Sequence, residues 1–599
     1  MLKRILAADI GSTTTKTVLF EKQEEGWKLV AKTLAPTTVE APNLDVMIGL
    51  REALSRLEQR TGIELMAGSR LLTSVSGNAG VDIFVATSSA GGGLQMVVTG
   101  LMKEITAESA NRAALGAGAI VSDVIALDDS RSVIERLEAV KRIRPDMVLI
   151  TGGTDGGNIS EVAAVAEMVA MANPEPRFGH DFKIPVVFAG NVEARTYVEK
   201  VFEGDMSITY ADNIRPVLER EVLGPARDEI HNLFLEHVMM HAPGYPGLLS
   251  WAEGHVKPTP VAVGKALIHL GQIAGGNVLA VDIGGATTDL FSIIEGQFYR
   301  TVSANLGMSY SMGNVLAEAG PEFVLRWFPG EPDENNVRNW NFNKMIRPTG
   351  LPQTFEELML EQAISKEALR LSLSHHKSLV RGLKGVQQRR SVGDIFYQDP
   401  TGRTLVDMMN TKVLVGTGGA LSYAPRRNQA AMILLDGLLP EGVTDLFVDS
   451  QFLLPHIGVL LDVNKDAAVE IMMNEALIPL GTCIAPVGPE IPPGMAIAQV
   501  KAGNNMYEVI SGEMQVIPIE SEANVFFEAT PRREFDLGSG PGKTVEGEAI
   551  KGVTGLILDG RGRPLVFPGD ERARRACLVR WYKALDAYPG EILDQCMRG

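Results

Sequence analysis

The sequence predicts a mixed α/β fold in which a strand, glycine turn, strand unit is used twice. Between the two copies lies a parallel α/β segment, and a β-rich segment follows the second. Three observations carry this. The stretch Asp282-Ile-Gly-Gly-Ala-Thr-Thr-Asp-Leu290 repeats the turn Asp9-Ile-Gly-Ser-Thr-Thr-Thr-Lys16, and the aligned copies share Leu6/Leu279, Ala7/Ala280, Asp9/Asp282, Ile10/Ile283, Gly11/Gly284, Thr14/Thr287 and Thr15/Thr288. Apolar β runs alternate with helical patterns from Arg70 to Pro216, which reads as a parallel sheet covered by helices. From Cys483 to Pro568 the chain is rich in Gly, Pro, Val and Ile in short alternating runs.

Each copy of the repeat follows an apolar run, Ile5 to Ala8 or Val278 to Val281, and leads into another, Thr17 to Phe20 or Leu290 to Ile294. A second turn at Glu25-Gly26 or Glu295-Gly296 then gives a three-stranded meander. A Walker loop or a dinucleotide fingerprint would pass from its glycines directly into a helix. After the first meander, Leu44, Met47, Ile48, Ala53 and Leu57 mark one face of an amphipathic helix over residues 44–60.

The expected domains are 1–70 as the first part of a first lobe, 71–216 as the inserted α/β domain, and 217–275 as a helical linker ending that lobe. A second lobe at 276–480 carries a helical subdomain near 314–400, and 481–599 forms a separate β-rich domain closed by a helix at 571–587. The 599 residues fit roughly four domains at about 150 residues each.

Composition excludes several classes. A net charge of −17 and a pI near 5.2 argue against nucleic acid or an anionic membrane as partner. The N-terminus loses its apolar character at Asp9, too early for a signal peptide, and no apolar run reaches spanning length, so a cytoplasmic protein is expected. Three cysteines, Cys483, Cys577 and Cys596, are too few and wrongly spaced for a disulfide framework, a zinc site or a chain-contained iron–sulfur cluster. Of His231, His237 and His241, the last two could share a helix face, but no third ligand follows at metal spacing.

The repeated turns carry the candidate chemistry. Glycines let backbone amides approach an anion, threonine hydroxyls add donors, and an aspartate can hold Mg²⁺ directly or through water. The candidates for phosphate are Asp9, Gly11, Ser12, Thr13, Thr14, Thr15 and Lys16 in the first turn, and Gly284, Gly285, Thr287 and Thr288 in the second. Asp9 and Asp282 are the candidate metal ligands. Lys16 stands where the second copy has Asp289, a cation suited to phosphate against a carboxylate suited to orienting water. Asp282 and Asp289 are therefore the candidate catalytic residues, and two such turns facing each other would cradle one polyphosphate. A third glycine turn, Gly416-Thr-Gly-Gly419, follows the β run Lys412 to Val415 and is the expected seat of adenine and ribose through Gly416, Gly418 and Gly419. The loop Thr151-Gly-Gly-Thr-Asp-Gly-Gly-Asn158 ends a strand of the insert and is given no role, and Arg561-Gly-Arg-Pro564 reads as a turn without a charge function.

These motifs in this order resemble the actin, sugar-kinase and heat-shock-chaperone ATPase superfamily. Lys16 matches actin's phosphate-turn lysine, and Asp282, Gly284, Thr287 and Asp289 match the chaperones' D-x-G-G-x-T-x-D turn. Over nearly its full length the chain also resembles the MutL/GlmL family found with glutamate mutase, unrelated to the mismatch-repair protein of similar name. The resembling stretches are Asp9 to Lys16, Gly152 to Asn158, Val281 to Leu290, Leu306 to Tyr310, Pro455 to Gly458 and Gly555 to Pro564.

The resemblance implies duplicated RNase-H-like, actin-type ATPase lobes with a Rossmann-like insert. It also implies an ATP- and Mg²⁺-binding, ATP-hydrolysing accessory protein that reactivates an adenosylcobalamin-dependent mutase, of the glutamate mutase or aminomutase type, by exchanging damaged cofactor. No directly bound cobalamin is expected, because the D-x-H-x-x-G signature is absent. A homo-oligomer is left open, and so are a sugar-kinase-type small-molecule kinase and a nucleotide-binding scaffold without turnover.

Overall fold

A computed structural model of the protein describes residues 2–11, 13–39, 43–89, 94–175, 183–203, 206–234, 243–331, 333–382, 403–521 and 523–598. Ser12, His237 and His241 lie outside the described residues, as does the last part of the expected helical subdomain. The chain divides into two compact units. One is Met1–Ala266 with Arg381–Arg403 and Leu454–Ile471; the other is Leu267–Val380 with Thr404–Leu453 and Met472–Gly599.

In the first unit, β1 (Arg4–Ile10), β2 (Thr14–Gln23) and β3 (Gly26–Pro36) form an antiparallel meander. Every residue of β1 is buried, as befits a central strand covered on both faces. Against β1 runs β4 (Ile83–Ser88) in parallel, followed by β10 (Val256–Pro258), so the sheet order is β10-β4-β1-β2-β3. Residues 83–88 thus belong to the first sheet, although the sequence placed them in the insert. A short buried parallel strand reads as a bare apolar run and cannot be assigned to a sheet by pattern alone. Pro258 ends β10, and Thr259 opens the helix Thr259–Ala274.

The helix Val46–Thr61 packs on this sheet. The Asp45 side chain caps its N-terminus by accepting from the Met47 amide, and Gly62 closes its C-terminus at φ 70°. Its buried stripe is Val46, Met47, Leu50, Ala53, Leu54 and Leu57, whereas Leu44 and Ile48 are exposed. Met47, Ala53 and Leu57 thus lie on the buried face as expected, while Leu44 precedes the helix and Ile48 faces solvent.

Between β4 and β10 the chain builds a second sheet from β5 (Gln95–Gly100), β6 (Ile120–Ala126), β7 (Met147–Ile150), β8 (Pro185–Phe188) and β9 (Ser207–Tyr210). Its order is β9-β8-β7-β5-β6 and every pair is parallel. Chain direction across the sheet reverses between β5 and β7, the kind of switch point at which open α/β sheets bind ligands.

The second unit repeats the first sheet's plan and extends it. Here β11 (Asn277–Ile283), β12 (Thr287–Ile294) and β13 (Gln297–Ala304) make the meander, and β14 (Thr411–Gly418) and β15 (Gly442–Asp449) add in parallel beside β11. The order continues β13-β12-β11-β14-β15-β16-β22-β19, with β16 (Leu477–Ala485), β19 (Met514–Ile517) and β22 (Gly555–Asp559). Three strands from the expected separate C-terminal domain therefore extend the second sheet. A four-stranded antiparallel sheet does stand beside them, β18-β17-β20-β21, from Ala496–Ala502 (β17), Asn505–Ile510 (β18), Val525–Pro531 (β20) and Val545–Ala549 (β21). Short β runs announce strands without naming their partners, which are chosen by non-local pairing.

Arg561 and Arg563, read as part of a plain turn, are buried charges. Arg561 grips both oxygens of Asp559 at 2.9 Å and reaches Asp436 Oδ1 at 2.6 Å, while Arg563 donates to Asp559 Oδ2 at 2.8 Å. Lys366 Nζ pairs with Asp436 Oδ2 at 2.8 Å and donates to Tyr582 Oη at 2.7 Å. Burial opposes ionisation of Asp559, yet the two guanidinium charges outweigh it and hold the carboxyl far below its usual range. This cluster ties the C-terminal segment to the helices Phe355–Leu379 and Arg427–Leu438.

Candidate functional site

The two acidic turns have the same local geometry. The Gly11 amide donates to the Thr14 carbonyl at 3.0 Å, and the Gly284 amide donates to the Thr287 carbonyl at 2.9 Å. In each, a Cβ on the glycine would lie 2.9 Å from that carbonyl oxygen, so the turn closes only around a residue without a side chain. Thr15 and Thr288 are fully buried. Their hydroxyls are used inside the fold, Thr15 with Thr37 at 3.0 Å and Thr288 on the Leu306 carbonyl at 2.6 Å. Thr13 is exposed, and so is Gly285.

Around the first turn, Asp9 sits at the end of β1 and is 5% exposed. Its Oδ1 accepts from the hydroxyls of Thr87 and Thr259, each at 2.9 Å, and its Oδ2 lies 3.5 Å from Lys16 Nζ. Lys16 faces Asp9 directly across the β1–β2 pair. Sequence reasoning missed Thr87 and Thr259; the only signal was a threonine closing an apolar run and another between two prolines.

It also left His456 without a role. This residue lies in the helix Leu454–Val463, which packs on β1 and β4, and it is 2% exposed with no hydrogen-bond partner on either ring nitrogen among the described residues. Burial, opposed by the charge of Asp9 and helped by those of Lys16 and Lys32, holds its pKa down to about 4. Gly458 in the same helix lets the backbone reach the Ala262 carbonyl, which a Cβ would strike at 1.8 Å.

Around the second turn, Asp289 stands opposite Asp282 across the β11–β12 pair. Directly opposed residues of such a pair have Cβ atoms about 4.5–5.5 Å apart on one face, where like charges repel. Arg300 relieves part of this, donating to Asp289 Oδ2 at 3.0 Å. Asp289 Oδ1 is buried with no hydrogen-bond partner among the described residues. Two carboxylates with an orphaned oxygen match the oxygen-donor chemistry of Mg²⁺, which binds through one or two carboxylates plus phosphates and water.

The segment Leu306 to Ser309 covers this turn: the Met308 and Ser309 amides donate to the Gly284 and Gly285 carbonyls, both at 2.9 Å. The third glycine turn adjoins it, since Gly418 pairs with Ile283 across β11 and β14. Gly418 adopts φ 95° and a Cβ there would lie 2.3 Å from the Ile283 carbonyl oxygen. Gly419 is exposed with open space beside it, whereas Gly416 lies inside β14 against Leu421 and Leu434.

Among the described residues, no group of three or more His, Cys, Asp or Glu is placed to hold a metal, and no helix is long and apolar enough to cross a membrane. Burial raises the Cys483 thiol to about 12, in keeping with an inert residue.

Fold and turns define a mixed α/β protein in which two sheets of like strand order each end a central strand in the same acidic glycine–threonine turn. The chain belongs to the MutL protein family, whose sequence profile matches residues 5–476. Protein MutL of Clostridium tetanomorphum is 30% identical over 499 residues, covering 78% of this chain and 98% of that protein. Two solved structures are more distant. A diol dehydratase-reactivating factor in nucleotide-free form is 10% identical at a TM-score of 0.29, with 78% of this chain and 100% of that one covered. An acetone carboxylase in nucleotide-free form is 14% identical at a TM-score of 0.31, with 77% and 70% covered. At these scores neither likeness bears on function.

Proposed function

We propose that the chain is an ATPase that reactivates an adenosylcobalamin-dependent mutase or aminomutase by driving out damaged cofactor. In this reading the two turn-bearing sheets are duplicated actin-type lobes, the all-parallel sheet is a Rossmann-like insert, and each turn has the local geometry to bind nucleotide phosphates. The observation that carries it is the pairing of like geometry with unlike charge: Asp9 faces Lys16 in one turn, and Asp282 faces Asp289 in the other.

Lys16 and the amides of the first turn hold phosphate oxygens, while the Thr87 and Thr259 hydroxyls fix the Asp9 carboxylate so that Lys16 keeps its orientation. Asp282 and Asp289 would hold Mg²⁺, which would supply neutralisation of charge on the transferring phosphate. Asp282 or Asp289 orients the attacking water, and the products are ADP and phosphate. Gly418 and Gly419 leave bare backbone for the adenosine. Loss of the γ-phosphate removes a ligand of the turns, and the chain changes its grip on the partner.

One observation favours a scaffold that binds nucleotide without turnover: Arg300 already pairs with Asp289. A single experiment separates the readings. The protein and Mg-ATP are mixed with a mutase inactivated by loss of its adenosyl group, and released cobalamin, recovered activity and phosphate are measured together. Reactivation with phosphate release supports the proposal. ATP binding with neither would leave the scaffold, and phosphorylation of an added small acceptor would replace both by a kinase.

A further inference from the structure

The carboxyl edge of the all-parallel sheet has a character that the nucleotide turns do not use. All five strands point the same way, so the segments following β5, β6, β7, β8 and β9 share this edge. Hydrogen bonds weld them into one surface. The Lys103 amide donates to Asp128 at 2.7 Å, and the Thr151 hydroxyl donates to the Thr106 carbonyl at 3.1 Å. The Gly156 amide donates to Glu193 at 2.8 Å, and Asn213 donates to the Gly153 carbonyl at 3.0 Å and to Asp155 at 2.8 Å.

This surface displays an apolar side chain after every strand: Met102, Val133 with Ile134, Ile159, Val192 and Leu218, which are 39–69% exposed. Large exposed apolar residues gathered on one edge mark an interaction surface more than scattered ones do. Five strands at about 4.8 Å spacing spread them over roughly 20 Å, wider than a small molecule spans. At its centre the loop Thr151–Asn158 offers little but backbone, and Gly156 has open space where a side chain would stand.

Charge selects the occupant. Asp128, Asp155, Glu161, Glu193 and Asp212 are exposed in these segments, against the exposed bases Lys103 and Arg220, because Arg131 is spent on Asp123 and Asp129. A second copy presenting the same edge would meet its own charge, as would a nucleic acid or an anionic membrane. We propose that this edge docks a basic protein segment whose lysines or arginines alternate with apolar side chains, laid across the glycine-rich loop. None of the nucleotide-turn residues belongs to this sheet, so the surface stands whether or not the chain hydrolyses ATP.

The test uses the full chain and a short synthetic peptide of alternating leucine and lysine, with leucine–glutamate and serine–lysine peptides as controls. Ile134→Ser, Ile159→Ser and Val192→Ser are combined in one variant, and Asp128→Asn, Glu161→Gln and Asp212→Asn in another. Circular dichroism checks that both keep the wild-type fold. The leucine–lysine peptide should bind the wild type and lose about tenfold in affinity on the serine variant. On the amide variant its affinity should fall several-fold, with a shallower dependence on salt. Equal binding to the wild type and the serine variant would overturn the proposal, as would equal binding of the serine–lysine or leucine–glutamate peptide. So would concentration-dependent dimerisation of the wild type that the serine variant abolishes, because the edge would then be a self-association face.

Discussion

The two acidic turns share a backbone and differ in what their strands set opposite the aspartate. In the first, Asp9 faces Lys16, and one oxygen of its carboxylate accepts from the hydroxyls of buried Thr87 and half-buried Thr259. In the second, Asp282 faces Asp289, Arg300 pairs with one Asp289 oxygen, and the other has no hydrogen bond among the described residues. The second turn thus sets two carboxylates opposite each other where the first sets a carboxylate opposite an ammonium.

The largest expected effect lies in catalysis. Asp282→Asn should lower ATP turnover by about a hundredfold or more while leaving the thermal midpoint within a few degrees; unchanged turnover would break the assignment. The supports of the two sheets should differ next. Asp559→Ala strips Arg561 and Arg563 of their buried partner in the second unit and should cost roughly 3–5 kcal/mol in denaturant unfolding. Thr87→Val removes one neutral donor from Asp9 and should cost about 1–3 kcal/mol.

Exchange of charge sharpens the contrast further. Lys16→Met should weaken ATP binding about tenfold, near 1.4 kcal/mol, by calorimetry. Arg300→Met should leave Asp282 and Asp289 facing each other and lower the thermal midpoint, with Mg²⁺ alone restoring it. A midpoint indifferent to Mg²⁺ would remove the metal from the second turn.

Buried histidines add a pH dependence in both units. Burial holds His456 in the first unit down to about 4 and His376 in the second down to about 3, from 6.5. Each is neutral when folded and protonates first in the unfolded chain, so stability present above pH 6.5 is lost progressively as pH falls toward 4. Chemical denaturation between those values reads the slope. His456→Gln, which removes the unpartnered ring, should flatten it by one titrating group.

Sequence alone determined the elements whose information is local. The turns were legible because glycine and threonine at fixed spacing after an apolar strand permit few backbone conformations, and the meanders because Glu-Gly pairs punctuate them. The glycine turn at 418–419 and the alternation of the insert were legible for the same reason. What tertiary structure decided is pairing at a distance. Ile83–Ser88 joins β1, three C-terminal strands join the second sheet, and Thr87 and Thr259 converge on Asp9 from 78 and 250 residues away. Arg561 and Arg563 became buried charges only because Asp436 and Asp559 were brought to them. A residue's neighbours along the chain set its backbone preference, but its partner in space is chosen by burial and hydrogen-bond satisfaction over the whole fold, and no local pattern records that choice.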